Sequence, residues 1–401
     1  MTPPPSLAPT ISEIAAPVLP IAPGDRLTPA RSPGPPPNRR GNRPLSFYDL
    51  TFEELEAHCA GIGQPAYRAG QIYSWVYKQL TSDYVTMSNL PANLRTELAA
   101  ALPLSPLTLT RELVTDDART YKMLYRTFDG QFIETVLMLY RDRATVCVSC
   151  QIGCAVGCAF CATGIGGLTR NLSAGEMVAQ VVAATRRANE LGRQLTNVVM
   201  MGMGEPLQNY AATLKMVAII NDPRGLNMGA RRITISTSGV VPRIDALSEE
   251  PYQVNLAVSL HAPDDERRDR LVPLNLRYPV AALLAACERY IVRTGRRVSF
   301  EYAMMKGIND DEATARVLAA RLRRMICHVN LIPLNPVDLL PYERPDPAEI
   351  ARFATILREA GIPTTVRYSR GMEIAAACGQ LRAEHAGEPL LVSAATPTSP
   401  E

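Results

Sequence analysis

The chain has 401 residues, with 42 Lys and Arg against 39 Asp and Glu and a formal charge of +3. Its 47% apolar and 20% charged residues are ordinary for a globular protein. No run approaches the roughly 18 apolar residues of a membrane-spanning helix. Residues 1–44 hold five Arg against Glu13 and Asp25, so the remainder balances 37 basic against 37 acidic side chains. A body so neutral is not a uniformly basic nucleic-acid binder, although a local basic face is compatible with it. The N-terminus lacks a basic n-region and its prolines break any apolar stretch, so no secretory signal is expected and the location is expected to be cytoplasmic.

Residues 1–44 carry 13 of the 33 prolines and no hydrophobic period, and are expected to be a disordered tail. Residues 45–104 read as a small helical RNA-binding accessory domain. Thr51 and Glu54 fit a capping box, T-x-x-E, and Ile72, Trp75, Val76 and Leu80 recur at helical spacing. Tyr67, Arg68, Tyr73, Trp75, Tyr77 and Lys78 mix basic and aromatic types that suit stacking on RNA bases, with Ile72 and Trp75 better read as core. Over 105–144 the pattern alternates, and 121–128 and 131–140 flank an Asp129–Gly130 turn as a β-hairpin extension.

From 145 to 385 strand and helix patterns alternate. Strands are expected at 145–150, 196–203, 231–238, 253–260, 298–305, 328–335 and 364–369, with helices between them at 173–191, 209–220, 241–249, 279–294, 311–324 and 347–361. Unbroken apolar or β-branched runs of this kind belong to parallel strands buried on both faces. The expected fold is α/β: an open or closed β/α barrel of about six units, whose chemistry belongs at the C-terminal ends of the strands. Residues 386–401 are expected to be disordered.

Five of the nine cysteines fall between Cys147 and Cys161. A long chain without an export signal does not suggest a disulfide framework, and with only four His the cluster points to a metal or to redox work. Cys154, Cys158 and Cys161 form C-x3-C-x2-C on the loop after the first barrel strand. Three thiolates can hold three irons of a [4Fe–4S] cluster and leave the fourth iron for a substrate. The alternative is zinc, because Cys147–Cys150 and Cys158–Cys161 are both C-x2-C; their spacing is shorter than in a zinc ribbon. Cys59, Cys287 and Cys327 read as packing residues.

The cysteine motif at this place resembles the radical S-adenosylmethionine (SAM) superfamily. Further stretches are Cys147-Val-Ser-Cys150-Gln-Ile-Gly-Cys154, Gly167-Leu-Thr-Arg170-Asn-Leu172, Val198-Val-Met-Met-Gly-Met-Gly-Glu-Pro206, Ser236-Thr-Ser-Gly-Val240, Ser259-Leu-His-Ala-Pro263, Asn330-Leu-Ile-Pro-Leu-Asn-Pro336 and Ala377-Cys378-Gly-Gln-Leu381. In this order they resemble the 23S rRNA (adenine-C2) methyltransferases, which also modify an adenine in tRNA. The resemblance covers roughly residues 45–385 and implies a radical SAM partial (β/α)6 barrel. Cys150 departs from it, since serine is common there, and is expected to be structural.

Read alone, Gly204 and Glu205 are a strand-to-helix turn whose glycines allow close backbone approach to a ligand. Ser236, Ser259, His261 and Asn335 are polar groups at strand ends. The resemblance makes Gly204, Glu205, Ser236, Ser259, Leu260, His261 and Asn335 the SAM site, and Cys154, Cys158 and Cys161 the [4Fe–4S] ligands. It makes Cys378 the methyl-carrying cysteine, Cys147 the thiol that resolves the protein–RNA adduct by a transient disulfide with Cys378, and Glu134 the proton acceptor. The implied reaction uses two SAM molecules, because an adenine C2–H is neither acidic nor nucleophilic. It requires 23S rRNA and tRNA as substrates and an external electron donor such as flavodoxin; a monomer without membrane contact is expected. Adenine-C8 methylation, or a zinc-stabilised RNA-binding protein without catalysis, are the competing readings.

Overall fold

The computed structural model describes residues 43–337, 340–368 and 370–381. The tail expected over 1–44, apart from Arg43 and Pro44, and the tail expected over 386–401 lie outside the described residues.

Three helices come first: α1 (Phe52–Gly61), α2 (Tyr67–Tyr77) and α3 (Ala92–Ala101). Thr51 and Glu54 close the capping box, each side chain accepting from the other's backbone amide, at 3.2 and 2.8 Å. Helical spacing sends Ile72, Tyr73, Val76 and Tyr77 inward, where the two tyrosines join Phe47, Tyr48 and Phe52 in an aromatic cluster. That burial removes Tyr73 and Tyr77 from any stacking surface. Tyr67 stays outside at 58% exposure, with the Arg68 guanidinium 5.0 Å from its ring centre. These helices share one apolar core with the rest of the chain, running from Phe47 to Leu381. Asp49 fastens the seam by accepting from the Gly175 amide at 2.9 Å. A Cβ on Gly175 would stand 2.6 Å from the Asp49 carboxyl carbon, so only glycine fits.

The main sheet has ten strands. β1 (Leu107–Val114), β2 (Thr120–Thr127), β3 (Phe132–Leu139) and β4 (Ala144–Cys147) run antiparallel in turn. The small pair β5 (Gln151–Gly153) and β6 (Leu168–Asn171), with the short helix α4 (Ala162–Ile165) between, brackets the cysteine loop. Then come α5 (Ala174–Glu190), β7 (Asn197–Met200), α6 (Tyr210–Asn221), β8 (Ile233–Thr237), α7 (Val241–Leu247), β9 (Asn255–Ser259), α8 (Asp265–Leu271), α9 (Val280–Thr294), β10 (Val298–Met304), α10 (Glu312–Leu322), β11 (Cys327–Pro333), α11 (Pro347–Glu359) and β12 (Thr364–Val366). The sheet order is β1-β2-β3-β4-β7-β8-β9-β10-β11-β12, parallel from β4 onward. The series is open, yet Thr145 and Cys147 of β4 line one cavity with Asn330 of β11 and Thr365 of β12. The sheet therefore curls until its two ends face each other as a partial barrel.

Two local expectations differ. The strand expected to 150 ends at Cys147: Val148 still donates to Val199, but Cys150 and Gln151 turn to the Met203 carbonyl and the chain peels off into β5. Helix α8 shows no hydrophobic stripe because it buries only Arg268 and Leu271. The hairpin matches its turn, with Gly130 at φ +77°. Arg170 pins that turn by donating to Asp129 and, at 2.9 Å, to Glu176 of the α5 capping box.

Candidate active site

Two adjoining cavities occupy the barrel. The upper one is lined by Cys154, Cys158 and Cys161 and by the strand tips Gly204, Glu205, Ser236, Ser259, His261 and Asn335. The lower one, about 440 Å³, is lined by Cys147, Val199, Asn330, Arg367 and the hairpin residues Val136 and Met138. Cys378 lines both. The fold thus gathers residues from all along the barrel around one thiol.

The Cys378 segment is seated by backbone. Asn335 donates to the Cys378 carbonyl at 3.0 Å, Ala162 of the cysteine loop donates to Gly379 at 2.8 Å, and Lys122 donates to Ala375 at 3.1 Å. Cys147 stands at the end of β4, buried, and burial beside Cys378 pushes its thiol up to about 12, opposed by the nearby Arg367 cation. Both cysteines are free thiols. Glu134 lies on β3 in a buried ion pair with Lys122 at 2.7 Å and is not among the residues lining either cavity. Through Lys122 it is tied to the segment that carries Cys378.

At the tip of β7, Glu205 is 2% exposed and accepts from the Leu207 amide at 3.0 Å and the Ser238 amide at 2.6 Å. Burial raises its proton affinity and those amides oppose it. Gly204 lines the upper cavity, and at φ +105° a Cβ there would stand 2.5 Å from Gln151 Cβ and 2.9 Å from Cys150 Sγ. The bare backbone thus lets the turn pack against the 150–151 segment. It also places Cys150, at 2% exposure, behind this turn and away from both cavities. Leu260 is fully buried; its amide donates to Glu301 and its carbonyl accepts from Arg268, so its side chain belongs to the core.

His261 adopts φ +59°, and its Nδ1 accepts from the Ala303 amide at 2.9 Å. A backbone amide can only donate, so the ring proton is on Nε2. Burial, with the Arg268 cation adding to it, lowers its pKa to about 3 and keeps the ring neutral. The ring meets Phe160 edge-on at 4.8 Å, bracing the loop between Cys158 and Cys161.

Arg268 was not singled out in the sequence, yet its side chain is fully buried. It donates to the Leu260, Ser238 and Ser259 carbonyls at 2.9, 2.6 and 3.1 Å and to Asn275. It ties the tips of β8 and β9 together behind the upper cavity. Burial lowers its own pKa to about 10, opposed chiefly by Cys158.

The comparisons with known proteins meet this geometry. Residues 148–318 match the Radical SAM superfamily, and residues 45–103 match the ribosomal RNA large subunit methyltransferase N-terminal domain. A Frankia alni protein named "Probable dual-specificity RNA methyltransferase RlmN" is 50% identical over 89% of this chain and 88% of its own length. A protein of the same name from Geobacillus kaustophilus is 44% identical over 86% and 94%. The crystal structure of a radical SAM methyltransferase from Sphaerobacter thermophilus superposes with a TM-score of 0.84 at 64% identity, covering 85% of this chain and all of that one. The chain belongs to the RlmN family. It is a radical SAM RNA methyltransferase, and the superfamily implies SAM and an iron–sulfur cluster.

The residues present fit that cofactor pair. The three cysteines face one cavity on one loop, with apolar neighbours Val156, Phe160 and Met305. Burial pushes Cys154 up to about 12 and raises Cys158 and Cys161 as well, so a metal must displace their protons to bind. Among the described residues no group of three or more His, Cys, Asp or Glu converges on a single metal ion. Cys147 and Cys150, the other C-x2-C pair, lie elsewhere, and the RlmN relationship removes the non-catalytic zinc reading. No helix among the described residues is long and apolar enough to cross a membrane.

Proposed function

We propose that this RlmN-family chain methylates C2 of an adenine in 23S rRNA and of an adenine beside the anticodon in tRNAs. The observation that carries this reading is the position of Cys378, open on one side to the strand-tip cavity and on the other to the cavity of Cys147. A thiol so placed can accept a methyl group from one side and present it to a base on the other.

Cys154, Cys158 and Cys161 are the proposed ligands of a [4Fe–4S] cluster, and Gly204, Glu205, Ser236, Ser259, Leu260, His261 and Asn335 the proposed SAM site, Gly204 through backbone and Leu260 by holding the strand tip in place. When bound, this pair supplies hydrogen-atom abstraction, and SAM supplies the methyl group. The chain's own residues do the rest. Cys378 sulfur takes up the methyl, Asn335 holds its backbone, and Glu134, set by Lys122, accepts the proton lost from C2. The Cys147 thiolate attacks Cys378 sulfur: an S–S bond forms, the S–C bond to the base-linked carbon breaks, and that carbon keeps the electron pair and takes up a proton to become the product methyl. An external reductant such as a flavodoxin restores the cluster, and reduction of the disulfide restores the thiols. We place the protein in the cytoplasm as a monomer.

The test is nucleoside mass spectrometry of rRNA and tRNA from cells with and without this gene, using C2- and C8-methyladenosine standards. C2-methyladenosine lost with the gene is expected; loss of the C8 isomer alone would overturn the regiochemistry.

A further inference from the structure

Glu301 lies inside the barrel on β10, level with Ser259 on one neighbouring strand and Asn330 on the other. It is 5% exposed and lines the upper cavity. It also lines a third, polar cavity with Thr234, Ser299, Asn330 and Arg367. Asn330 and Arg367 in turn line the cavity of Cys147 and Cys378. Glu301 therefore stands where the strand-tip cavity opens into the lumen that holds the two thiols.

Its hydrogen bonding is half complete. Oε1 accepts from Asn330 Nδ2 at 2.8 Å, while Oε2, buried, has no partner among the described residues. A buried carboxylate oxygen without a donor is costly, and such a group in a native site is a waiting acceptor. Asn330 Oδ1 in turn accepts from the Thr365 hydroxyl at 2.6 Å, which matches the amide orientation that presents Nδ2 to Glu301. Arg367 supplies the opposite polarity: among the described residues its guanidinium has no ion pair or hydrogen bond. It shares one cavity with Cys378 and Cys147 and another with Glu301, so it stands near all three. An open acceptor beside an open donor, in a lumen shared with the reactive thiols, complements a base edge that alternates donor and acceptor.

We propose that Glu301 and Arg367 are specificity-determining residues that read the amino edge of the target adenine, Glu301 Oε2 accepting from N6–H and Arg367 donating to N7. This rests on the adenine methyltransferase reading above. Adenine is the base that offers a donor beside an acceptor on this edge; guanine offers two acceptors, and its O6 would face a carboxylate. C2 lies across the ring from C5 and N7. Gripping the N6–N7 edge therefore leaves C2 free of both residues. A base taken out of its stack is read in this way by hydrogen bonds to its edges.

The experiment uses full-length, cluster-loaded protein and a synthetic anticodon stem-loop with adenosine, purine riboside (no N6), 7-deazaadenosine (no N7) or inosine (O6) at the target. Affinity is measured by fluorescence anisotropy without turnover, and product position is scored separately by mass spectrometry. Wild type should bind adenosine about tenfold tighter than purine riboside or 7-deazaadenosine. Glu301→Gln should invert the choice. Asn330 will hold the new carbonyl, leaving an NH2 in the open slot that suits inosine O6 and opposes adenine N6. Arg367→Met should erase the 7-deaza penalty and keep the purine penalty. Wild type that binds all four alike overturns the proposal, whatever the variants do. So does a Glu301→Gln enzyme with unchanged base preference and weakened SAM affinity, which would assign Glu301 to SAM. A C8 product would sink the regiochemistry of the previous section while leaving the affinity ratios as a separate result.

Discussion

Cys147 and Cys378 are both cysteines of the barrel, and their surroundings separate their work. Cys378→Ala removes the proposed methyl acceptor, so neither product nor adduct should form. Cys147→Ala keeps the acceptor but loses the attacking thiol, so a covalent protein–RNA species should accumulate. Protease and nuclease digestion should then yield a nucleotide-bearing peptide containing Cys378. A Cys147→Ala protein that turns over normally without bound RNA would remove Cys147 from that role. Since burial pushes the Cys147 thiol up to about 12, its iodoacetamide labelling should keep rising about tenfold per pH unit past pH 9, where an ordinary thiol near 8.5 levels off. His261 gives the opposite sign. Its folded pKa of about 3 lies below the ordinary 6.5, so the unfolded chain binds the extra proton between those values. Its contribution to stability is present above pH 6.5 and is lost as pH falls toward 3. His261→Asn, which tolerates a left-handed backbone, should flatten the fall of the melting temperature between pH 7 and 5; an unchanged slope would contradict the assignment.

At the scale of elements, the cysteine loop and the strand tips behind it are one unit. Each of Cys154→Ala, Cys158→Ala and Cys161→Ala should abolish iron binding and the charge-transfer absorbance, because these three thiolates are the proposed ligands of the cluster. Near-normal iron in all three variants would end the assignment. Arg268→Met takes the guanidinium from the Ser238 and Ser259 carbonyls, leaves Leu260 only its bond from the Ala262 amide, and should lower stability by about 3 kcal/mol in urea titration. A wild-type midpoint would show that water replaces the guanidinium without loss. Arg268 also marks where sequence reading stops. The strands of the barrel were legible as apolar runs, and the cysteine spacing stood out, because both are local patterns. Arg268 sits in a run of charges that reads as a solvated face; its burial follows from carbonyls of Ser238, thirty positions earlier, and of Ser259 and Leu260. Glu301 and Arg367 were equally hidden, since one strand carboxylate and one strand-end arginine look like surface residues until the sheet curls. Gly204 was legible as a necessary glycine, but its neighbour across the gap was not.

Across the molecule, the helices before the sheet and the barrel share one core, with Asp49 and Arg186 bridging them. Charge is divided differently: four arginines, Arg26, Arg31, Arg39 and Arg40, lie before Arg43, which pairs with Asp49 at 2.7 Å. Removing residues 1–42 keeps that pair. The shortened protein should melt as before and make the same product, while binding RNA more weakly and with a flatter dependence on salt. A shortened protein that makes no product on saturating RNA would show that the segment belongs to the catalytic body.

The seat of Cys378 acts as a fail-safe. Its carbonyl hangs from Asn335, and Gly379 hangs from the cysteine loop at Ala162. A chain whose loop is unmade has lost the perch of the proposed methyl acceptor together with the proposed seat of the cluster. Protein stripped of iron is then inert on both counts and cannot run half the reaction. In hydrogen exchange, chelation should expose the amides around 376–380 in step with those of 158–164. Protection that persists at 376–380 after the loop has opened would show two independent latches.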